Sequence, residues 1–460
     1  MNYEECRNLL EKHGQSHVLK FWDTLNEDEQ EKLLAQVDSI DFDEVSATQE
    51  AVKSRGASGT GGDIEPAPVL ARNDIDREKA GKAGEEVIRA GQAAALVVAG
   101  GQGTRLGFDG PKGCYPAGPV TERSLFEIHA GKLRALELKY GVAVPFYVMT
   151  STTNDAETKA FFEEHEFFGI DPAKVTFFKQ GEWPALTAEG KLILESPSRI
   201  FMSPDGHGGV IGALQRNCCL EDMRKNGVIY VFYFQVDNPL VEVADPVFMG
   251  LHKRRGSEMS LKVCAKRDPS EGLGVVARQN GRNRVVEYTE LTEEQKNART
   301  SDGRLKFLFG SVAIHIFSVD FLEKTAGLDL PIHIAHKKVP YCDDHGNTVT
   351  PEESNAFKFE KFVFDALPMA KQSLNVEFAR EEEFSPIKNA EGNDSPETAC
   401  RDMSMKYARR LAACGVDVPT DSSGVPLYNI EIDPYCAIDR EELCRKIGKG
   451  LKVEGDIVLK

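Results

Sequence analysis

An apolar segment that ends in a glycine-rich loop constrains this chain more than any other stretch. Residues 93–99 read Ala-Ala-Ala-Leu-Val-Val-Ala, and the loop Gly-Gly-Gln-Gly-Thr-Arg-Leu-Gly follows at residues 100–107. A short apolar run of this kind predicts a buried strand of a parallel sheet. Glycines, which lack a Cβ, let backbone N–H groups approach a phosphate closely. The stretch therefore predicts a strand followed by a loop that can bind a phosphorylated ligand.

Two cationic side chains accompany this loop, Arg105 within it and Lys112 shortly after it. Fixed cations suit a polyphosphate, whereas a purely structural turn has no use for them. The spacing does not fit a Walker A loop, because Pro111 precedes Lys112 and a glycine replaces the hydroxyl residue. It does not fit the dinucleotide fingerprint either, because Gly107 comes one residue late. An NAD-linked oxidoreductase is therefore disfavoured.

The composition is that of a globular protein with enough apolar residues for a large core. The chain has 460 residues, of which 41% are hydrophobic, and this length suits two or three domains. Its formal charge is −17, which disfavours nucleic acid or an anionic membrane as a main partner. An anionic substrate must therefore meet a local cluster of cations.

Neither a secretory signal nor a membrane span is expected from the sequence. The first residues lack the basic and apolar pattern of a signal peptide, and no apolar run approaches the ~20 residues of a span. Ten cysteines are scattered without a C-x-x-C pair or a regular framework, which is typical of reduced thiols. The sequence therefore predicts a cytoplasmic protein with free cysteines.

Helical and extended segments alternate through the middle of the chain. This alternation is typical of an α/β fold with an open, mostly parallel, Rossmann-like sheet, whose sites lie at the carboxyl ends of the strands. The predicted helices are residues 77–89, 124–140, 154–166 and 212–225. The predicted strands are residues 93–99, 144–150, 175–179 and 228–234.

An acidic residue follows the last of these strands. Asp237 comes shortly after the apolar residues 228–234. A carboxylate at the end of a buried strand is well placed to hold Mg²⁺ that carries phosphate oxygens. The alternative is that Asp237 only stabilises the turn that follows the strand. The pattern alone leaves both interpretations open.

The glycine loop resembles a known family signature. Residues 96–112 resemble L-x-x-G-x-G-T-R-L-G-x-x-x-P-K, the signature of nucleotidyltransferases that join a sugar 1-phosphate to a nucleoside triphosphate. The longer form GGQGTRLG-x-x-x-PKG is similar to the eukaryotic-type UDP-N-acetylglucosamine pyrophosphorylases and their uridylyltransferase relatives. The resemblance implies a UTP:sugar-1-phosphate uridylyltransferase that uses Mg²⁺ and releases pyrophosphate.

The resemblance also implies roles for individual residues. Asp237 would bind Mg²⁺, and Lys388, in a segment similar to the family's F-S-P-x-K-N, would bind phosphate. The implied catalytic residues are Arg105, Lys112 and Lys388. The implied nucleotide-binding residues are Gly100, Gly101, Gly103, Gln180, Pro204, Gly206 and His207. The implied sugar-binding residues are Gly274, Glu287, Ile314, Phe362 and Phe364.

For several of these residues, the pattern by itself also allows a structural role. Glu287 could be a surface carboxylate on an edge strand, Phe362 and Phe364 could be core aromatics, and Lys388 could be solvated. Four other residues could be drawn as a zinc cluster, but their H-x₂-H-x₅-C-x₂-H spacing fits no standard module, and a surface loop is the alternative. The four residues of that cluster are His333, His336, Cys342 and His345.

The segment Gly310–His315 leaves the sugar open. It reads Gly-Ser-Val-Ala-Ile-His, where the N-acetylglucosamine enzymes typically read G-N-I-A-N-H. Ile314 cannot make the hydrogen bonds of the amide it replaces. N-acetylglucosamine 1-phosphate is therefore the first expectation, with glucose 1-phosphate or another hexose 1-phosphate as the alternative. A non-catalytic nucleotide-sugar-binding protein is the alternative from another class.

Three domains are expected along the chain. Residues 1–86 should form an N-terminal helical region with a flexible connection at 54–71. Residues 87–390 should form the nucleotidyltransferase catalytic domain, and residues 391–460 a small C-terminal domain.

Overall fold

A computed structural model describes residues 1–53, 63–448 and 450–460. Part of the predicted connection at 54–71, residues 54–62, lies outside the described residues. The chain forms two compact units. The first, called the discontinuous unit here, comprises Met1–Asp63, Gln180–Val210 and Asp329–Asp365. The second, the sheet unit, comprises Ile64–Lys179, Ile211–Leu328 and Ala366–Lys460. The expected domain boundaries at residues 86 and 390 stay a prediction about which segments fold independently.

The sheet unit is built on one ten-stranded mixed sheet. Its strands, numbered in chain order, are β1 (Glu65–Pro66), β2 (Ala93–Val98), β3 (Phe146–Thr150), β4 (Val175–Lys179), β5 (Tyr230–Gln235), β6 (Met259–Ala265), β7 (Val275–Gln279), β8 (Arg282–Val286), β9 (Phe309–Ser318) and β10 (Ser373–Glu377). The main path through the sheet is β1-β7-β9-β5-β2-β3-β4.

The central strands are parallel, which confirms the predicted α/β fold. β5, β2, β3 and β4 pair in parallel in that order. β2 is buried along its length except at Val98, because a parallel strand covered on both faces has no solvent side. The other part of the sheet is largely antiparallel, since β9 pairs antiparallel with β5, β6 and β7. Only the parallel part was expected from the alternation of helices and strands.

The helices cover the sheet and form much of the two units. The longer ones are α1 (Tyr3–Lys12), α2 (Glu27–Ser39), α3 (Phe42–Lys53), α4 (Arg77–Arg89), α5 (Leu125–Tyr140), α6 (Asp155–Glu164), α9 (Pro246–Arg255), α11 (Val319–Ala326) and α13 (Pro396–Ala413). The shorter ones are α7 (Val210–Arg216), α8 (Cys219–Lys225), α10 (Glu293–Asn297), α12 (Arg380–Glu383) and α14 (Arg440–Lys446).

The prediction of one continuous helix at residues 212–225 is wrong. Residues 212–225 form parts of α7 and α8 and not a single helix. Cys218, at the junction, has φ of 55°, in the left-handed region that a continuing right-handed helix does not enter. Hydrophobic spacing persists across the break, which is why the periodicity did not reveal it.

Two glycines let α4 and α9 approach each other closely. A Cβ on Gly84 would lie 1.8 Å from the carbonyl oxygen of Pro246, and a Cβ on Gly250 would lie 1.8 Å from that of Ala80. Neither position can accept a larger residue without separating the helices. The two helices therefore pack backbone to backbone beside the sheet.

A disulfide corrects the expectation that all cysteines are free. Cys414, just after α13, is bonded to Cys444 in α14, with their Cα atoms 4.9 Å apart. The two cysteines are 30 residues apart in the sequence, with no motif to connect them. The pairing depends on the packing of α14 against α13, which sequence spacing does not show.

Two buried histidines should make the fold sensitive to acid. Burial lowers the pKa of His129 to about 3, with the Lys132 charge acting in the same direction, and burial lowers that of His252 to about 3. The unfolded chain binds these protons below pH ~6.5, whereas the folded chain does not, so stability is lost as the pH falls from about 6.5 towards 3. Each histidine can contribute up to ~1.4 kcal/mol per pH unit in that range.

This acid sensitivity can be measured by urea unfolding of a His252→Leu variant at pH 4, 5 and 6. The pH slope of its unfolding free energy should be smaller than that of the wild type by up to ~1.4 kcal/mol per unit. Replacing the exposed His345 with leucine is the matched control. Equal slopes for His252→Leu and the wild type would contradict the assignment.

Candidate active site

The glycine loop and Asp237 begin at the same edge of the sheet. β2 and β5 are parallel neighbours, and Val98 at the end of β2 pairs with Gln235 at the end of β5. The chain continues from these two positions into the loop at residue 100 and into Asp237. Because carboxyl ends of parallel strands meet at one edge, this register brings the predicted phosphate loop and the predicted metal ligand side by side.

The glycine loop is folded back on itself by backbone hydrogen bonds. The N–H of Gly103 donates to the carbonyl of Gly110 at 2.9 Å, and the N–H of Lys112 donates to that of Gly101 at 3.0 Å. Gly103 is required by packing, since a Cβ there would lie 2.7 Å from the Phe108 ring. A Cβ on Gly101, in contrast, would meet nothing within 4 Å. The surface beside Gly101 is therefore open to a ligand.

The two cations of the loop differ in their surroundings. Arg105 lies in a 3₁₀ turn at Thr104–Leu106 and is exposed. In the described part of the chain, no ion pair involves it. Lys112 is enclosed, with 16% of its side chain exposed. Arg105 is thus accessible from solvent, whereas Lys112 is held at the sheet edge.

Lys112, Asp237 and the segment before Lys388 meet in one cluster. The Lys112 Nζ lies 3.8 Å from Asp237 Oδ2 and donates to the Ile387 carbonyl at 3.4 Å. The N–H of Ile387 in turn donates to the Asp237 carbonyl at 2.8 Å. Lys388 is partly buried, with its ammonium 5.9 Å from the centre of the Phe384 ring. Three segments that are far apart in sequence therefore bring Lys112, Asp237 and the backbone of Ile387 together, with Lys388 next along the chain.

Asn238 connects the Asp237 loop to the Lys388 segment, a role that the sequence analysis missed. Its Nδ2 donates to the Glu383 carbonyl at 2.7 Å, and its Oδ1 accepts from the Ser385 N–H at 3.1 Å. The residue is 4% exposed. The only signal in the sequence is its position directly after Asp237, and an asparagine there does not by itself indicate a structural role.

Gly274 and Glu287 lie together in the sheet unit. Gly274 precedes β7 and Glu287 follows β8, and these strands pair antiparallel with Val275 opposite Val286. A Cβ on Gly274 would lie 2.9 Å from Glu287 Oε1, so the carboxylate lies directly over the glycine. Ile314, also predicted to contact the sugar, is 1% exposed and packs in the apolar core of this unit. Its contact with a sugar stays a prediction.

The remaining predicted residues lie in the discontinuous unit. His207 stacks on Phe362 with ring centres 5.2 Å apart at 13°, and its ring centre is 5.5 Å from that of Phe364. Gly206 has φ of 82°, and a Cβ there would lie 2.5 Å from the Lys361 carbonyl. Gln180 is 9% exposed, and Pro204 ends a short strand that pairs with Glu182–Pro184.

His333 joins this aromatic cluster and not a zinc site. Its ring stacks on Phe362 with centres 4.1 Å apart, and its Nε2 is 2.7 Å from Asp365 Oδ2. His336 stacks on Phe357 instead. Within residues 1–53, 63–448 and 450–460, no three histidine, cysteine or acidic residues are arranged to hold a metal ion.

The donor set at Asp237 suits a hard cation that is bound mostly by a substrate. Mg²⁺ typically takes one or two carboxylates from the protein and its other ligands from phosphates and water. Asp237 offers one carboxylate with 12% of its side chain exposed at the edge of the sheet. The residues present therefore fit a magnesium ion carried by a nucleotide.

The mixed sheet with parallel central strands and the glycine loop at their carboxyl ends define an α/β nucleotidyltransferase. The family model of UTP–glucose-1-phosphate uridylyltransferase matches residues 61–399. The chain belongs to this family. Among the helices that the structure describes, none is long and apolar enough to span a membrane.

Individual relatives extend over nearly the whole chain. The human UDP-N-acetylhexosamine pyrophosphorylase-like protein 1 is 38% identical over 98% of this chain and 94% of its own length. The UDP-N-acetylglucosamine pyrophosphorylase of Saccharomyces cerevisiae is 37% identical over 86% of this chain and 88% of its own. The crystal structure of the Trypanosoma brucei uridine diphosphate N-acetylglucosamine pyrophosphorylase in complex with inhibitor superposes with a TM-score of 0.83. It is 30% identical and covers 96% of this chain and 94% of that one.

Proposed function

We propose that this protein transfers a uridylyl group from UTP to N-acetylglucosamine 1-phosphate, forming UDP-N-acetylglucosamine and pyrophosphate. The observation that carries the proposal is the cluster in which Lys112 Nζ lies 3.8 Å from Asp237 Oδ2, beside the glycine loop. A binding protein for the product has no use for cations that stabilise a departing pyrophosphate. The choice of N-acetylglucosamine as the sugar rests on the names of the relatives.

The reaction needs charge neutralisation and positioning more than a protein nucleophile. An oxygen of the sugar 1-phosphate attacks the α-phosphorus of UTP, and the bond from that phosphorus to the bridging oxygen of the β-phosphate breaks. Arg105 and Lys112 stabilise the charge that develops on the leaving pyrophosphate. The backbone of Gly100, Gly101 and Gly103 binds the nucleotide phosphates, and Lys388 binds the attacking phosphate.

Asp237 is the proposed protein ligand of Mg²⁺. When bound, the ion neutralises phosphate charge and orients the triphosphate for in-line attack. Asp237 contributes a negative charge at the sheet edge, and its peptide carbonyl is fixed by the Ile387 N–H. The Lys112 ammonium, 3.8 Å from Asp237 Oδ2, offsets part of this negative charge, which would otherwise repel the anionic substrates.

Base and sugar are assigned to two other groups of residues. In the discontinuous unit, the amide of Gln180 and the backbone around Pro204, Gly206 and His207 read the edge of the uracil ring, since donors and acceptors suit a neutral base. Phe362 and Phe364, in the same unit, stay predicted sugar contacts that the resemblance implies. In the sheet unit, Glu287, which lies directly over Gly274, accepts hydrogen bonds from sugar hydroxyls. Ile314 can neither donate nor accept a hydrogen bond through its side chain.

The experiment that tests the proposal is pyrophosphate release from UTP and Mg²⁺ with a panel of sugar 1-phosphates. The panel contains glucose, galactose, glucosamine, N-acetylglucosamine and N-acetylgalactosamine 1-phosphates. Release that is fastest with N-acetylglucosamine 1-phosphate is the expected result. Preference for a plain hexose would support the alternative substrate. It would also attribute the different sugar specificity to the Gly310–His315 segment. Tight UDP-sugar binding without any release would overturn the proposal in favour of a binding protein.

A further inference from the structure

Two lysines from distant helices hydrogen bond to the loop that follows Asp237. Lys132 in α5 donates from its Nζ to the carbonyls of Pro239, at 2.5 Å, and Val241, at 2.8 Å. Lys406 in α13 donates to the Leu240 carbonyl at 3.0 Å. Three consecutive backbone carbonyls are thus each bonded to a lysine ammonium.

The rest of the loop is fixed just as closely. The carbonyl of Val236 lies 2.9 Å from His129 Nε2, and that of Asp237 accepts from Ile387. The carbonyl of Asn238 accepts from the Val241 N–H at 3.4 Å. Every carbonyl from Val236 to Val241 therefore has a partner, and the lysines supply the partners for the half of the loop that leaves Asp237.

Charged donors at these positions come at an electrostatic cost. Lys406 is 4% exposed and also pairs with Glu242, to which Arg410 donates at 2.6 Å. Burial alone would raise the pKa of Glu242, but the charges of Lys406, Arg410 and Lys132 lower it. Burial and the Lys406 charge lower the pKa of Lys132 to about 7. An apolar side chain would avoid this cost but would leave carbonyls of the loop without a donor.

We propose that Lys132 and Lys406 are positioning residues that fix the direction of the Asp237 carboxylate by holding the 239–241 backbone. The inference rests on the proposed function, in which Asp237 binds Mg²⁺. Removing a group that orients a metal ligand without itself binding the metal typically lowers metal affinity or activity 10- to 100-fold. Neither lysine is among the residues proposed to bind substrate, so their removal should leave the other parts of the site intact.

Lys132→Met and Lys406→Met are the test variants, because methionine keeps the length and the apolar part of each side chain. Lys139→Met is the matched control, since Lys139 lies in the same helix as Lys132 but pairs with Asp439. The first readout is the Mg²⁺ concentration that gives half-maximal activity. The second, independent of turnover, is binding of Mn²⁺ to the enzyme–UTP complex without sugar phosphate, followed by EPR.

We expect each of the two variants to need roughly 10-fold more metal in both readouts and to lose about 10-fold in kcat, with KM for the sugar phosphate nearly unchanged. The control should match the wild type. A purely structural role would instead lower Tm or the amount of folded protein, with an unchanged metal requirement, and would overturn the inference. If Lys132→Met does not fold, the Lys406→Met result decides, because Lys406 holds a different carbonyl.

The outcomes separate this inference from the proposed function. If the wild type releases no pyrophosphate with any sugar 1-phosphate, the proposed function fails. If the wild type is active and Asp237→Asn raises its metal requirement, but both lysine variants bind Mn²⁺ as tightly as the wild type, only the positioning inference fails.

Discussion

Replacing Lys112 with methionine is expected to lower kcat/KM for pyrophosphate release by on the order of 10²-fold or more. The Lys112 ammonium is mostly enclosed, and it lies 3.8 Å from Asp237 Oδ2 where the triphosphate is proposed to bind. A unit charge about 4 Å from a phosphate oxygen contributes about 4 kcal/mol at an effective dielectric constant near 20. Since each 1.4 kcal/mol is a factor of ten in rate, water can replace part of this stabilisation and still leave a loss of this size.

The fold should tolerate this change. The hydrogen bond that the Lys112 side chain makes in the structure, to the Ile387 carbonyl, is long at 3.4 Å. The backbone bond from Lys112 to Gly101 does not depend on the side chain. Thermal unfolding should therefore be nearly unchanged. Lys82→Met is the matched control, because Lys82 is an exposed lysine that pairs with Glu78 on α4. Near-normal turnover of Lys112→Met would remove Lys112 from the mechanism.

Asp237→Asn is expected to lower activity by roughly 10³-fold at low Mg²⁺ and to shift half-maximal activity to higher Mg²⁺. Asparagine keeps the shape of the side chain but removes the negative charge, and metal coordination is worth several kcal/mol of charge stabilisation in phosphoryl transfer. The hydrogen bond from Ile387 reaches the backbone of residue 237 and is kept. The loss should therefore come from the metal and not from unfolding.

Chelation provides the complementary measurement. EDTA should abolish pyrophosphate release by the wild type, and added Mg²⁺ should restore it. Asp320→Asn is the control, since this carboxylate is 82% exposed and lies on α11. Metal-independent turnover by the wild type, or an Asp237→Asn variant with a wild-type Mg²⁺ profile, would refute the role proposed for Asp237.

Local pattern was enough to predict the central strands and the glycine loop. The apolar run of β2 and the glycines after it are contiguous, so one stretch of chain determines both the strand and its turn. The break at Cys218 and the Cys414–Cys444 disulfide were missed, because hydrophobic spacing continues across the first and the second joins residues without a shared motif.

Local pattern likewise predicted some residues of the candidate site and not others. Arg105, Lys112 and Asp237 could be selected from residue type and position, since each lies in or just after a strand-and-loop segment. Asn238 and Lys132 could not, and the sequence indicated His333 only for a metal site that is absent from the described residues. An asparagine beside an aspartate, a lysine on an amphipathic helix and a histidine in a mixed segment are common, and only their partners distinguish them.

The sequence by itself determined the parallel centre of the sheet, the glycine loop and the family signature, because periodicity, glycine and charge act within a few residues. The tertiary structure alone decided that Lys112 meets Asp237 and Ile387, and that Lys132 and Lys406 reach the carbonyls at 239–241. These contacts join residues more than 100 positions apart. Their geometry follows from how helices pack on the sheet and from the need to give each buried carbonyl a donor, neither of which is written in a local pattern.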